Sequence, residues 1–410
     1  MISPNKEKYD VIIVGGGVSG LSAAKALRRM GAGDILVIER EEECGGAPRH
    51  IMNPFFGLRE FGLPMTGPTY ARRMRRRIKG VETATGVSIT RLLPQGMLEV
   101  AGPDGLYTLE ARRIVLATGT REASRHARLV SGGRPFGVIT YGAFQRYVHF
   151  AGLKPFQRPA IVGTEWVSFS AVHTMREIGV DPVCMLEEHP RTTVPELVAE
   201  AFELYLMIPI HRGTHLRRIL GRGNVEGAEI ERDGQVDIIR CDGIVFTGKF
   251  IPEAHLIRSA HLEFDSGSRG PMTDQYQRLS DPAYFACGNV LRAVQASWVC
   301  SREGERVARF VNMSLSSKLP RADDSVPLRF SDPIRFVWPQ RLALPNRHGP
   351  RPHLTISFLR PTRGTLRLLV NGREVFSKTV DAMPEQLISI VLKPAALKKA
   401  NEIEISCETW

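Results

Sequence analysis

A glycine-rich turn near the N-terminus has the residue types and spacing that most clearly predict chemistry. Gly15, Gly17 and Gly20 form a GxGxxG pattern directly after Asp10 and the apolar run of residues 11–14. In such a pattern the first glycine makes a tight turn, the second lets the backbone approach a pyrophosphate, and the third lets a helix pack closely on a strand. Glu39 ends the next apolar run, where it can accept hydrogen bonds from an adenosine ribose. The spacing therefore predicts a dinucleotide whose phosphates lie at a helix N-terminus.

Two later segments indicate which dinucleotide is bound. Residues 114–119 read as a buried strand entering a glycine turn, and residues 283–289 read as a second strand that ends in Gly288 and Asn289. With the first fingerprint, they resemble the three signatures of the FAD-binding domain in flavoproteins with two dinucleotide-binding domains. In those proteins the last signature usually ends in Gly-Asp, and the Asn289 amide can also donate or accept hydrogen bonds. The resemblance implies FAD as the cofactor.

The residues expected to bind this cofactor come from the three signatures and from the segments beside them. They are Gly15, Gly17, Val18, Ser19, Gly20, Glu39, Arg40, Gly46, Ala117, Thr118, Gly119, Gly288, Asn289, Ala296 and Ser297. No metal site is predicted.

The elements that must position these residues are expected to form an α/β fold. The resemblance implies two Rossmann-like dinucleotide-binding domains, arranged as in thioredoxin and glutathione reductases, and 410 residues are enough for two or three domains. We expect a FAD-binding domain split between residues 1–155 and 246–318. A second, degenerate NAD(P)-binding-like domain is expected as an insertion at residues 156–245.

A small antiparallel β domain is expected at residues 328–410, after a linker at residues 319–327. Apolar and polar residues alternate along three predicted strands there. These strands are residues 354–359, 365–370 and 401–407. Asn371 and Gly372 form a strong signal for a two-residue hairpin turn. No cluster of catalytic side chains is recognisable in this segment, so we expect it to pack or to dock a partner.

The inserted domain has its own strand, turn and helix at residues 159–170, but its glycine pattern is broken. Glu165 stands where the backbone should approach a pyrophosphate, and Ser168 replaces the closing glycine. A carboxylate that faces two phosphates adds like-charge repulsion of about 1 kcal/mol or more in a partly dry site. We therefore favour a structural or docking role for this domain over nicotinamide binding.

Charge and composition exclude several classes of protein. The formal net charge is +12, and part of it lies in the basic run of residues 72–79, which is either a solvated helix face or a docking surface for an acidic partner. No aromatic residues interleave with the basic ones, which argues against nucleic acid as a partner. No segment reaches the roughly 18 consecutive apolar residues of a membrane span.

The six cysteines lie far apart, without a CxxC pair. This spacing excludes an obvious iron–sulfur or zinc ligand set. It favours a location of the protein in the reducing cytoplasm. Cys44, in the loop after Glu39, has no nearby partner in the sequence, and one thiol cannot perform dithiol chemistry. A disulfide reductase is therefore excluded.

In this architecture two segments surround the flavin ring, and each supplies candidate catalytic residues. The loop after Gly46 supplies Arg49, which would stabilise the anionic reduced ring, and His50, which would carry a proton. A helix after Asn289 would direct its positive N-terminus at the flavin, and Trp298 on that helix would form a wall beside the flavin ring. The alternative is that Arg49 and His50 only fix their loop and that Trp298 only packs.

A narrower resemblance rests on residues 45–50, 56–61 and 66–73 and on the run at 162–170. These segments resemble the flavoprotein subunits of bacterial dye-linked proline dehydrogenases, opine oxidases and hydrogen cyanide synthases. The resemblance, which covers roughly residues 9–315, implies a second, glycine-oxidase-like flavoprotein subunit as partner. Several relatives carry a cysteine-rich iron–sulfur segment that this chain lacks, so a separate iron–sulfur protein is a further candidate partner.

The sequence thus predicts an FAD-dependent oxidoreductase, a subunit of an amine or amino-acid dehydrogenase or oxidase complex that passes two electrons through flavin. One alternative is a self-contained NAD(P)H-dependent flavoprotein reductase. Another is a non-catalytic subunit that holds FAD and docks partners. Reduction by NADH favours the reductase, and a flavin that resists every donor favours the docking subunit.

Overall fold

The computed structural model describes residues 3–322, 324–344, 351–384, 386–397 and 400–410. The chain divides into two compact units. Unit 1 comprises Met1–Gly46, Ala71–Thr120 and Pro252–Trp410, and unit 2 comprises Ala47–Tyr70 and Arg121–Ile251. The domain boundaries drawn from the sequence stay a prediction, and residue 323 of the predicted linker lies outside the described residues.

The helices are short, apart from the last. They are α1 (Val18–Arg29), α2 (Leu58–Phe61), α3 (Gly67–Arg76), α4 (Tyr141–Ala151), α5 (Trp166–Glu177), α6 (Glu196–Leu206), α7 (His255–Arg258) and α8 (Ser297–Leu315). Short 3-10 helices occur at Ala47–His50, Pro94–Gly96, His126–Arg128, Gly288–Val290 and Pro394–Leu397.

The strands follow in chain order. Those of the first half are β1 (Lys8–Val14), β2 (Ile35–Glu39), β3 (Glu82–Thr85), β4 (Ser88–Leu93), β5 (Met97–Gly102), β6 (Gly105–Leu116), β7 (Thr120–Glu122), β8 (Ser131–Gly132), β9 (Val138–Thr140), β10 (Pro159–Val162), β11 (Cys184–Leu186), β12 (Ile210–His211), β13 (Thr214–Leu220) and β14 (Gly227–Arg232). Those of the second half are β15 (Gln235–Ile239), β16 (Gly243–Phe246), β17 (Phe250–Pro252), β18 (Phe264–Asp265), β19 (Gly270–Pro271), β20 (Tyr284–Ala286), β21 (Ser325–Phe330), β22 (Ile334–Trp338), β23 (Arg341–Ala343), β24 (His353–Phe358), β25 (Thr362–Val370), β26 (Arg373–Ala382), β27 (Ile388–Val391) and β28 (Ile403–Thr409).

The main sheet of unit 1 contains the predicted strand, glycine turn, helix and second strand. Its order is β3-β2-β1-β6-β5-β4, and β20 also pairs with β6. The pairs of β1 with β2 and with β6 are parallel, as is the pair of β20 with β6. Val11, Ile12 and Ile13 are fully buried, which is the near-continuous apolar run expected of a parallel strand covered on both faces. The predicted α/β dinucleotide-binding fold is confirmed.

Helix α8 packs on α1 through small residues. A Cβ on Gly304 of α8 would overlap the carbonyl oxygen of Ser19, so only a glycine lets the two helices approach this closely. Beside this contact, the buried hydroxyl groups of Ser22 and Ser301 lie 2.9 Å apart and share a hydrogen bond. The packing holds the start of α8 beside the first glycine turn.

The C-terminal segment forms two sheets in unit 1, with orders β23-β21-β28-β25-β26 and β22-β24-β27. The predicted hairpin is present: Asn371 and Gly372 have φ of 51° and 76°, and Val370 pairs with Arg373 across the turn. Two positive φ angles in succession are what a type I′ turn requires. The pairing is antiparallel, as predicted, except between β21 and β28, which run parallel.

Unit 2 contains a second parallel sheet, of order β12-β11-β10-β16-β9, and a smaller sheet of order β15-β14-β13-β8. Phe144 of α4, Phe169 of α5 and Ile161 of β10 are buried in the core of this unit. The strand and helix predicted at residues 159–170 are β10 and the start of α5.

Two features are absent from the described residues, namely a helix that could span a membrane and a cluster of metal-ligating side chains. None of their helices combines the length and the apolar character that crossing a membrane would demand. In the same part of the chain, no three His, Cys, Asp or Glu side chains gather in a way that could hold a metal ion.

Candidate functional site

The first glycine turn has a backbone that only glycine tolerates. Gly15 has a φ of +107°, and a Cβ there would overlap the carbonyl oxygen of Ala117, the residue directly after β6. A Cβ on Gly20 would overlap the carbonyl oxygen of Gly15. These two glycines bring β1, α1 and the second signature into contact, as the fingerprint predicts.

Gly17 differs from its neighbours because open space lies beside it. A Cβ at this position would meet no atom nearer than the Cα of Gly46, 4.0 Å away. Gly17 is also the N-cap of α1 and provides no side-chain hydrogen bond to the first turn, where Val18, Ser19 and Gly20 lie. Backbone N–H groups at a helix start, next to open space, suit the phosphates of a dinucleotide.

Glu39 ends β2 beside the same turn and is buried. Its Oε2 accepts a hydrogen bond from Gly16 N at 2.9 Å, and its Oε1 accepts one from Glu41 N at 3.0 Å. Burial raises the pKa of this carboxyl group, against the effect of the two N–H donors. A carboxylate has about four acceptor positions, so both oxygens can still accept ribose hydroxyls. Arg40, the next residue, is exposed.

The second signature continues from β6 into a turn. Ala117 N donates to Val14 O at 2.8 Å, which aligns this turn with the first. The Thr118 hydroxyl donates to Glu253 O at 2.7 Å, and Gly119, with a φ of +78°, accepts a hydrogen bond from Glu253 N at 3.0 Å. Thr118 and Gly119 therefore fix the position of Glu253, near the start of the Pro252–Trp410 segment of unit 1.

The third signature lies against the first helix. Gly288 has a φ of +77°, and a Cβ there would overlap Oγ of Ser19. Its N–H donates to Oε2 of Glu303 at 3.0 Å, and Oε1 of Glu303 accepts from Nη2 of Arg292 at 2.6 Å. Glu303 and Arg292 were not predicted from the sequence, because Glu303 lies in a charged stretch of α8 that reads as a solvated surface and Arg292 lies in the loop before that helix.

The side-chain amide of Asn289 forms hydrogen bonds within its own loop. Its Oδ1 accepts a hydrogen bond from Gln295 N at 2.7 Å, and its Nδ2 donates to Gln295 O at 3.4 Å. The expectation of a helix directly after Asn289 is wrong: α8 begins at Ser297, with Ala296 as its N-cap. The asparagine closes the intervening loop with a side-chain amide, which sets where the helix begins.

The predicted catalytic residues fall in both units. Arg49 and His50 belong to unit 2, where the guanidinium carbon and the imidazole ring lie 5.6 and 5.8 Å from the ring centroid of Phe150 in α4. His50 is buried and Arg49 is half-buried. Trp298 belongs to unit 1, where Arg302 lies 5.9 Å from the centroid of its ring. The catalytic roles of these three residues stay predictions.

The turn after β10 in unit 2 is filled by the side chain of Glu165. Its Oε2 accepts hydrogen bonds from Oγ of Ser168 at 3.0 Å and from Oγ1 of Thr247 at 3.1 Å. A Cβ on Gly163 would lie 2.5 Å from Oε2, and a Cβ on Gly248 would overlap Oε1. The carboxylate therefore occupies the room beside both glycines, where a bound pyrophosphate would approach the turn.

The cysteine side chains are buried and none forms a disulfide. Burial raises the pKa of Cys184 and of Cys300 to about 12, and that of Cys241 to about 11. A thiol with such a pKa is protonated at neutral pH and is a poor nucleophile. These thiols do not fit a dithiol that exchanges electrons with a flavin.

The parallel strands of the two larger sheets and the three signatures around the first glycine turn define a dinucleotide-binding flavoprotein oxidoreductase. The chain belongs to the Pyridine nucleotide-disulphide oxidoreductase family, whose model matches residues 9–304. FAD is the cofactor of this family and of this enzyme. The residues around Gly17 and Glu39 fit it, because open space, helix N–H groups and a buried carboxylate occur together there.

Individual similarities add detail. The solved thioredoxin reductase from T. acidophilum superposes with a TM-score of 0.62 at 20% identity, covering 75% of this chain and 99% of that chain. The solved L-proline dehydrogenase from P. horikoshii superposes with a TM-score of 0.55 at 18% identity, covering 75% of this chain and 56% of that chain. At such identities both show the fold alone. The alpha subunit of sarcosine oxidase from Rhizobium meliloti is 29% identical over 158 residues, which are 37% of this chain and 14% of that subunit.

Proposed function

We propose that this chain is the FAD-binding subunit of a complex that dehydrogenates or oxidises a small amine or amino acid. The observation that carries the proposal is the Glu165 carboxylate in the turn of the second dinucleotide-binding fold. It leaves little room for a nicotinamide cofactor and repels its phosphates. Electrons must then enter the flavin from another donor.

The comparisons support an amine or amino acid as that donor. The segment shared with a sarcosine oxidase alpha subunit and the fold shared with an L-proline dehydrogenase both come from enzymes named for amino-acid substrates. The buried, protonated thiols argue against the dithiol chemistry in the family's name. The partners that fit are a second flavoprotein subunit and a separate iron–sulfur protein.

In this proposal FAD, when bound, would supply a two-electron acceptor for the substrate or for the partner subunit. The first turn of α1 holds the phosphates, and Glu39 accepts hydrogen bonds from the ribose. Arg49 would supply positive charge that stabilises a reduced flavin, His50 would carry a proton at its imidazole nitrogens, and Trp298 would form a wall beside the flavin ring. Glu303 fixes the Gly288 turn through its hydrogen bond.

The test is an anaerobic titration of the flavin absorbance of the purified chain with NADH, NADPH and a panel of amines and amino acids. We expect bleaching by an amine or amino acid, alone or after addition of the partner flavoprotein, and none by the nicotinamides. Rapid bleaching by NADH or NADPH would support a self-contained reductase instead. A flavin that resists every donor, with the partner present, would support a docking subunit that holds FAD without catalysis.

A further inference from the structure

A cavity of about 250 Å³ lies in unit 1, between α8 and strands of the C-terminal β domain. Trp338 of β22, which is buried, and His353 of β24 and Arg306 of α8, which are half-buried, form part of its wall. Arg351 and Val391 also line it and are exposed, so the cavity is reachable from solvent. None of these five residues belongs to the dinucleotide site.

The surroundings of this cavity carry more positive than negative charge. Arg306 and, at the exposed end, Arg351 line the cavity with two guanidinium groups, and no carboxylate is among the described residues that line it. Burial lowers the pKa of Arg306, and nearby Arg292 lowers it further, although Glu303 opposes both effects. Glu303 is already bound to Arg292 at 2.6 Å. Among the described residues that line the cavity, no carboxylate therefore balances the two arginines.

Buried hydrogen-bond donors without acceptors also indicate that an anion binds in this cavity. Trp338 is 2% exposed, and its indole Nε1 has no hydrogen-bond acceptor among the described residues. Arg292, 4% exposed, lies over the ring of Trp338, with 4.0 Å between its guanidinium carbon and the ring centroid, and its Nε and Nη1 also lack acceptors there. Buried donors are nearly always satisfied in proteins, so this group indicates that an acceptor belongs nearby.

We propose that this cavity binds a small oxyanion, namely a phosphate or carboxylate group of a small molecule, through Arg306, Arg351 and the indole N–H of Trp338. A guanidinium matches both groups because its N–H donors form a planar fork. The volume admits a ligand smaller than the drug-sized molecules that fill cavities of 300 Å³ and above. None of the residues proposed to bind the anion is predicted to bind the dinucleotide, and the inference does not depend on the proposed function.

The test uses the full chain with its flavin, titrated calorimetrically with sodium phosphate or sodium succinate while sodium chloride keeps the ionic strength constant. We expect one saturable site. Binding of phosphate but not succinate assigns a phosphate-bearing ligand, and the reverse assigns a carboxylate. Arg351→Gln, an exposed substitution that leaves the core intact, should weaken binding by about tenfold or more, the effect of losing about 1.4 kcal/mol.

Two controls decide between this site and unspecific attraction. Arg373→Gln removes the same charge from an exposed position on β26 that does not line the cavity, and it should leave the affinity unchanged. Arg306→Gln should weaken binding as Arg351→Gln does, with thermal unfolding used to check that the variant is folded. The proposal is overturned if neither anion gives saturable heat, if chloride competes at equal concentration, or if Arg351→Gln and Arg373→Gln bind alike.

Discussion

The backbone N–H of Gly288 donates a 3.0 Å hydrogen bond to the buried carboxylate of Glu303, which reaches back from α8 to the third signature of the dinucleotide site. The other oxygen of that carboxylate is held by Arg292 at 2.6 Å. Because α8 itself packs on α1 at Gly304 and Ser19, one helix braces both the first and the third signature.

Replacing Glu303 with glutamine should therefore affect both stability and cofactor retention. The buried Arg292 would lose its counter-charge, and breaking a buried pair in this way costs about 3–5 kcal/mol. Urea unfolding of the FAD-free protein measures the first effect, and quenching of flavin fluorescence measures the weaker FAD binding. Glu305→Gln is the matched control, because its partner Lys25 is partly exposed and the pair is worth about 1 kcal/mol or less. Equal losses in the two variants would contradict the bracing role.

Two glycines of the first turn should respond differently to alanine. Gly17→Ala should leave the FAD-free protein folded, since a Cβ meets nothing nearer than 4.0 Å, but should weaken FAD binding by about tenfold or more by filling the space beside the helix start. Gly15→Ala should prevent stable folding, because φ is +107° and the Cβ overlaps a carbonyl oxygen. Circular dichroism and FAD titration separate the two. A Gly17→Ala variant with normal FAD affinity would show that the phosphates do not lie there.

The sequence was informative where the structure depends on local patterns. The first fingerprint, the strands around it and the Asn371-Gly372 hairpin each rest on a few consecutive residues, and all are present. Glu303 could not be found in this way, because its partner at Gly288 is defined only once α8 has packed on α1. The start of α8 was misplaced for a similar reason: the loop before it is closed by the side chain of Asn289, and no local signal marks that contact.

The site was predicted less completely than the fold. The spacing predicts Gly15, Gly17 and Glu39 as cofactor contacts, because backbone geometry fixes the residue types that a dinucleotide turn accepts, and these contacts stay predictions. The parallel pair β21 and β28 was not anticipated, since strand periodicity reports which face is buried and not the direction of a distant partner. The roles of Arg49, His50 and Trp298 are likewise beyond periodicity, because they depend on what the bound flavin contacts.

Glu165→Gly should open the turn of the second dinucleotide-binding fold. The substitution removes the carboxylate beside Gly163 and Gly248, and relief of about 1 kcal/mol of repulsion raises the affinity for NADH about fivefold. Calorimetric titration with NADH measures the change. Trp166→Ala is the control, because that exposed side chain on the next residue does not fill the turn. If wild type and Glu165→Gly bind NADH equally, the carboxylate is not the obstacle.

The buried carboxyl group of Glu39 should make the stability of the protein depend on pH. Its folded pKa is raised by burial, so the native state binds this proton more tightly than the unfolded chain does. The stabilising contribution is therefore fully present below the unfolded pKa of about 4.3 and is lost as pH rises through the higher folded pKa. In urea unfolding of the FAD-free protein, the free energy of wild type minus that of Glu39→Gln should fall as the pH rises above about 4.3.

Bound FAD should weaken this fall of the unfolding free energy with rising pH. Ribose hydroxyls that donate to the charged Glu39 carboxylate favour its ionised form and lower its pKa. The same unfolding series with saturating FAD measures this, provided that the Glu39→Gln variant still binds the cofactor. Glu7→Gln serves as a control, since that side chain is exposed and should leave the pH profile unchanged. A wild-type minus variant difference that rises with pH, or that FAD leaves unaltered, would mean that Glu39 is not the carboxylate that accepts the ribose.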